Sequence, residues 1–454
     1  MMHTLKVTTQ GESVGHLGFD ALQDQYSFRY DAVWQERRGA FPLSPHIPLS
    51  GRAPAAGTVH RFIANLLPEG RALEVASAVY QMSKDNAYGL IRMLGKEPVG
   101  ALSFLAEAPP GELSEDAQGT DGKPIRRQIP DEELSARIRE RDVIPFPVWD
   151  KKVRLSVAGF QDKLQVMVEG DRLSLVDGSL SSTHILKPEP RNASTPFMVA
   201  NEHYCMTLAA RMKLLVAPVA IRRIPEPILL IERFDRKATV DASDGVAIQA
   251  VRRLHVIDSC QALDLPVTFK YERNFGNTPD VRNIREGVSF EKLFSLTPYL
   301  DNPAAARTFM VRWALLQLLI GNSDAHGKNL AFFVNSAGLV PAPLYDLVSI
   351  NVYGENVEQD MAMGYGDAFR LEDITAFALA DFAHRTGTRP SFLAREMTRM
   401  AQAALKFAPE LASSDAYVDE ERALVQQVSD FVCAQANHLL RLAPMVLEVD
   451  MQLF

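Results

Sequence analysis

Gly321-Asn322-Ser323-Asp324-Ala325-His326-Gly327-Lys328-Asn329 follows an apolar run from Thr308 to Ile320. That run carries only Arg312 and Gln317 as long polar side chains and is too short to span a bilayer, so it reads as a buried core helix. A rigid helix that delivers a polar, glycine-containing loop is a common platform for reactive side chains. Within the loop, Asp324 precedes Asn329 by five positions. A carboxylate can take a hydroxyl proton, and an amide oxygen can ligate a hard cation without adding a full charge. The plainer alternative is a solvated loop with an Asx turn closed by Gly327, and this segment alone leaves both open.

Downstream, Asp346 lies seventeen positions after Asn329 in Pro343-Leu344-Tyr345-Asp346-Leu347, beyond an expected strand pair at Leu330–Val334 and Leu339–Val340. Kinase catalytic loops separate their proton-accepting Asp from their metal-holding Asn by the same five positions, and a second acidic residue then returns to the metal. A turn or helix-capping aspartate is the bland use of Asp346. Upstream, Ser156-Val157-Ala158-Gly159-Phe160-Gln161-Asp162-Lys163 holds one glycine and matches neither a Walker loop nor a GxGxxG fingerprint. Such a loop can still turn backbone N–H groups toward an anion. Lys187 ends the strand candidate Thr183-His184-Ile185-Leu186-Lys187, and Glu202 sits on a helix expected over Val199–Leu215. Ile231-Glu232-Arg233-Phe234-Asp235-Arg236 reads as a junction that offers backbone groups to an adenine edge, or as a salt-bridged strand end. Each element has an ordinary structural reading, but their order along the chain is that of a kinase.

The chain has 454 residues, 47% hydrophobic and 23% charged, which are folded-protein proportions and enough for two or three packed subdomains. A formal net charge of −8 gives no basic field for wrapping nucleic acid, so DNA contact would need a basic partner. Cys205, Cys260 and Cys433 lie far apart without metal-ligand spacing, and Met1 to Lys6 lacks the basic-then-apolar pattern of a secretory signal. A cytoplasmic protein without membrane attachment is expected. The fold class expected is α+β: a bilobal protein-kinase-like fold with a sheet-containing N-terminal lobe and an all-helical C-terminal lobe. Its parts are residues 1–110 (small sheet plus helices), 111–130 (a Pro-, Gly- and acid-rich linker or mobile loop), 131–235 (nucleotide-binding) and 236–454 (helical, catalytic).

These segments resemble the HipA family of serine/threonine protein kinases, the toxins of HipBA-type toxin–antitoxin systems. The resemblance runs over nearly the whole chain and includes Asn201-Glu202-His203-Tyr204-Cys205, Asp258-Ser259-Cys260-Gln261-Ala262-Leu263, Lys270-Tyr271-Glu272 and Phe62-Ile63-Ala64-Asn65-Leu66-Leu67-Pro68-Glu69-Gly70. It implies ATP and Mg2+ as cofactors, Asp324 as catalytic base, and Asn329 and Asp346 as magnesium ligands. It also implies ATP contacts from Val157, Ala158, Gly159, Phe160, Gln161, Asp162, Lys163, Lys187, Glu232, Phe234, His326 and Lys328, and autophosphorylation at Ser156. A HipB-like helix-turn-helix antitoxin would be the partner and would carry any DNA contact, and an aminoacyl-tRNA synthetase would be the substrate. Phe160 stands where the family has a small residue, and Asp264 where a Gly often follows the Cys-Gln-Ala-Leu run. A small-molecule or lipid kinase, since the Asp324-Ala325-His326 to Asn329 run also resembles phosphatidylinositol kinases, and a non-catalytic corepressor are the competing readings.

Overall fold

The structure is a computed structural model that describes residues 2–106, 123–150, 152–154, 161–243 and 245–454. It divides into two compact units that are discontinuous in sequence, Met1–Pro188 with Arg222–Ile257 and Phe333–Gly338, and Glu189–Ile221 with Asp258–Phe332 and Leu339–Phe454.

The first unit opens on an antiparallel sheet ordered Gln25–Tyr30, Glu12–Asp20, Met2–Thr9, Leu102–Ala106. Helices Thr58–Ala64, Gly70–Tyr80 and Ala87–Leu94 lie between its third and fourth strands in sequence. A second sheet contains, in order, Pro227–Glu232, His184–Pro188, Leu164–Glu169, Arg172–Asp177 and Ile125–Gln128. Apolar residues at every second position, Leu164 and Val166, Leu173 and Leu175, Ile228 and Leu230, share one buried cluster with Leu134 and Ile138 of the helix Asp131–Arg139. A period of two puts each pair on the same sheet face, so a one-residue slip would expose the whole set.

The expected linker ends earlier than residue 130, because Ile125–Gln128 is a strand paired with Arg172–Asp177. Ile125-Arg126-Arg127-Gln128 hides its strand character because it lies at the sheet edge, where charged side chains are favoured. Arg126 pairs with Glu169 and Arg127 with Glu133. The expectation of an all-helical region over 236–454 also fails. Arg236–Val240 and Ile248–Arg253 form an antiparallel hairpin, and Val256–Asp258, Ala331–Asn335 and Gly338–Pro341 are further strands. Short β-branched stretches such as Ala238-Thr239-Val240 form strands wherever a partner is available, whatever the helical content around them.

A buried ionic network closes the first unit. Arg233 grips Asp235 in a two-pronged contact at 3.0 and 2.9 Å, and Asp235 Oδ2 also accepts from the Gly100 N–H at 2.8 Å and from Arg236 at 2.6 Å. Glu97 lies 3.7 Å from Arg233 and 3.5 Å from Arg236, and Arg253 donates to the Gly100 and Leu102 carbonyls. Burial opposes charge on Asp235, yet the guanidiniums of Arg233 and Arg236 overcome it and hold its carboxyl well below the usual range. The salt-bridged reading of this strand end therefore holds for Arg233, Asp235 and Arg236.

In the second unit the helix Pro303–Ile320 is buried on every side from Met310 to Ile320 apart from Arg312, as an all-round apolar helix must be. Asn302 caps its start, with Pro303 in the first turn, and Gly321 ends it in the left-handed region at φ +63°. Helices Met198–Arg211, Ala376–Arg385, Pro390–Ala412 and Asp419–Val446 also belong to this unit. Among the described residues no helix is long and apolar enough to cross a membrane.

Burial depresses the imidazoles of His255 and His184 from 6.5 to about 4. His255 is enclosed, bonded through Nε2 to the Leu43 carbonyl and stacked on Phe41, and its Nδ1 has no hydrogen-bond partner. The unfolded chain therefore binds more protons than the folded chain between pH 6.5 and about 4. Stability is full above that window and falls as pH drops through it. Thermal melts should show the midpoint decreasing steadily below pH 6.5, with a shallower decrease for His255→Phe. An unchanged slope in that variant would contradict the assignment.

Candidate active site

The loop after the Pro303–Ile320 helix is not a solvated loop. Asn322, Ser323, Ala325, His326, Gly327, Lys328 and Asn329 are all buried, and Asp324 alone is exposed. Asn322 donates to Gln317 Oε1 at 3.0 Å and accepts the Asp324 N–H at 3.2 Å, so an Asx-type contact exists and serves to aim Asp324. Ser323 Oγ donates to the Glu358 carbonyl, and the Ser323 carbonyl accepts from Ala362. The Gly327 N–H bonds the Lys270 carbonyl, and a Cβ at Gly327 would lie 2.6 Å from the Val288 side chain.

Tyr271 donates its phenol proton to Asp324 Oδ1 at 2.5 Å. The same ring meets His326 edge-on, with centroids 5.0 Å apart. Burial, reinforced by the positive charge of Lys270, holds the His326 imidazole neutral, far below its ordinary titration range. His326 Nδ1 accepts the Lys328 N–H at 3.3 Å, which assigns the ring proton to Nε2.

Asn329 and Asp346 meet: Asn329 Nδ2 donates to Asp346 Oδ2 at 3.2 Å. The other amide atom, Asn329 Oδ1, is buried and has no hydrogen-bond partner. A buried acceptor left unsatisfied costs about 1–3 kcal/mol, so this atom calls for an explanation. Asp346 adopts a left-handed backbone at φ +57°, unusual for a residue with a side chain. Backbone bonds pin the segment that leads into it: Ala342 N–H to the Ala331 carbonyl, Leu344 N–H to the Leu215 carbonyl, and Ala217 N–H to the Leu344 carbonyl. Tyr345 adds a bond from its hydroxyl to the Lys328 carbonyl.

The amide and carboxylate fit a hard divalent cation that completes its shell with water and phosphate oxygens, as Mg2+ does. Among the described residues no group of three His, Cys, Asp or Glu side chains forms a self-sufficient metal cage. Lys328, whose side chain is 4% exposed, pairs with Asp258 at 2.6 Å. Asp258 also caps the short helix Ser259–Ala262 by a reciprocal bond with Gln261. Neither Tyr271 nor Asp258 is readable from sequence as part of this cluster, because their contacts to Asp324 and Lys328 span 53 and 70 positions.

The remaining expected site residues belong to the first unit. Lys187 and Lys163 are buried, Gln161 and Asp162 half-buried, and Asp162 lies 3.6 Å from Arg141. Lys187 occupies the strand His184–Pro188, opposite Leu229. Glu232 is exposed, and Phe234 packs edge-on to Phe333. Ser156, Val157, Ala158, Gly159 and Phe160 lie outside the described residues. Glu202, in the second unit, is buried on Met198–Arg211. Asp264 takes φ +57°, which accounts for a glycine preference there, since aspartate is among the few side chains tolerated in that region.

An exposed carboxylate on a buried loop, followed by an amide–carboxylate pair suited to a hard cation, is the equipment of a kinase-type phosphotransferase. Residues 155–407 match the model of the HipA-like C-terminal domain, and residues 5–105 that of the HipA N-terminal domain. The chain is 41% identical over 400 residues to the serine/threonine-protein kinase toxin HipA of Shewanella oneidensis, covering 88% of this chain and 87% of that protein. It is 30% identical over 450 residues to a putative kinase, Y4mE, of Sinorhizobium fredii, covering 97% of this chain and 99% of that one. The solved complex of Shewanella oneidensis HipA with HipB and operator DNA superimposes with a TM-score of 0.86 at 38% identity, covering 98% of this chain and 100% of that one. The chain belongs to the HipA family and is a protein serine/threonine kinase.

Asp258→Asn keeps the helix cap and removes the charge that balances Lys328. Stranding one partner of a buried pair should destabilise the protein by on the order of 3 kcal/mol, read as a lower denaturation midpoint at unchanged slope. A midpoint equal to that of the natural chain would contradict this role.

Proposed function

We propose that the chain transfers the γ-phosphoryl group of ATP, with Mg2+, to a serine or threonine hydroxyl of a protein, as the toxin of a toxin–antitoxin pair. The observation that carries the cofactor assignment is the buried, unpartnered Asn329 Oδ1 beside Asp346, five positions after the exposed Asp324. Asn329 and Asp346 would hold the cation, which when bound neutralises developing charge on the phosphates. Asp324 accepts the hydroxyl proton as the substrate oxygen bonds to the γ-phosphorus and the bond to the ADP oxygen breaks. In this reading Lys187 contacts phosphate, Val157 to Lys163 form the phosphate loop, and His326 and Lys328 support the nucleotide. Backbone groups of Glu232 and Phe234 meet adenine. The tying of Arg233 and Asp235 into the ionic network supports that role, because it fixes the backbone between and beside them.

Autophosphorylation at Ser156 would place a charge of about −1.5 to −2 beside the ATP phosphates and silence the enzyme. The antitoxin partner is a HipB-like helix-turn-helix protein that carries the DNA contact, and residues 1–110 contribute to its binding. The relative solved with HipB and operator DNA supports this. The substrate is a translation protein such as an aminoacyl-tRNA synthetase, and the site of action is the cytoplasm.

Purified chain incubated with labelled ATP and Mg2+ should incorporate phosphate, at Ser156 among other sites. Asp324→Asn should lower the rate roughly 10²- to 10⁴-fold with the melting midpoint unchanged. Normal incorporation by that variant would refute the assignment of Asp324, and label transferred to phosphoinositide vesicles instead of protein would favour a lipid kinase.

A further inference from the structure

Tyr271 donates a hydrogen bond to the carboxylate proposed as the base, Asp324. Asp324 is the exposed side chain of an otherwise buried loop, and the terminal torsion of an aspartate has a broad energy profile. A hydrogen bond to one of its oxygens restrains that torsion. The phenol O–H sits on Oδ1 at 2.5 Å, and a bond to an ionised acceptor is about twice as strong as a neutral one.

Tyr271 is held to the same loop through its backbone neighbours. The Lys270 carbonyl accepts from Gly327, the Glu272 N–H donates to Ala362, and Ala362 in turn donates to the Ser323 carbonyl. The backbone of Gly287 presses so close that a Cβ there would fall 1.7 Å from the Tyr271 carbonyl oxygen. The ring is further fixed edge-on against His326. The segment Lys270-Tyr271-Glu272 is thus a strut that is anchored on both sides of Asp324, and the phenol of its middle residue ends on the carboxylate.

We propose that Tyr271 is a positioning residue that locks the rotation of the Asp324 carboxylate, committing Oδ1 to the phenol and directing Oδ2 to the substrate hydroxyl. This rests on the reading of Asp324 as the base. In this role Tyr271 acts through Asp324 and forms no bond in the transfer. Its removal therefore lowers the maximal rate and leaves the ATP requirement unchanged.

The test uses the full chain in single-turnover incorporation of labelled phosphate from Mg2+·ATP, with the rate followed against ATP concentration. Tyr271→Phe, which keeps the ring against His326, should lower the maximal rate about 10-fold, with half-saturating ATP within about 2-fold and an unchanged melting midpoint. Tyr271→Ala should lose at least as much rate. If Asp324→Asn is inactive while Tyr271→Phe matches the natural chain, the phenol hydroxyl has no positioning role and this proposal fails alone. A Tyr271→Phe effect confined to half-saturating ATP, or matched by an equal loss of folded protein, overturns it too. Natural rates in Asp324→Asn, or no incorporation by the natural chain, overturn the assignment of the base and this proposal together.

Discussion

The amide of Asn329 and the carboxylate of Asp346 are brought to 3.2 Å with one amide oxygen left buried and unanswered. A fold does not retain such an atom at no cost, and beside it Asp346 takes a left-handed backbone at φ +57°. A cation ligated between the two side chains would answer that oxygen. The second unit supplies what holds them in place: the buried helix Pro303–Ile320, the left-handed Gly321, and the backbone bonds that pin Leu344. Removing that support would release the site.

The first unit shows a different solution to buried charge. Glu97, Arg233, Asp235, Arg236 and Arg253 bring five ionisable groups together and bond them to one another and to the carbonyls of Pro98, Gly100 and Leu102, with Arg236 Nε left without a partner. Burial presses Arg236 down to about 10 and Arg253 to about 9, yet both remain charged near neutral pH. A network this well connected ties the chain at residues 97–102 to the strand end at 233–236, so that part of the unit behaves as one piece.

Much of this was legible in the sequence because local chemistry carried it. The apolar run to Ile320, the glycine that ends it, and the five-residue interval from Asp324 to Asn329 are all short-range signals, as is the strand candidate that ends at Lys187. What was not legible is long-range. The strand Ile125–Gln128 has an edge strand's charges and no core face, and the hairpin at Arg236–Val240 and Ile248–Arg253 is short and polar on its outer side. Tyr271 and Asp258 join the Asp324 cluster only through tertiary contacts, which no spacing rule predicts. Asp264 is an intermediate case: its departure from glycine was visible, but the φ of +57° that explains the preference needed coordinates.

The central claim is that Asn329 and Asp346 hold a divalent cation, and Mn2+ bound in the presence of a non-hydrolysable ATP analogue reports on it directly by electron paramagnetic resonance. Asn329→Leu preserves side-chain size and removes the amide oxygen. The account predicts a tightly bound Mn2+ signal in the natural chain and at least about a 10-fold weaker affinity in Asn329→Leu, with the variant still folded. Equal Mn2+ affinity in the two proteins would contradict it.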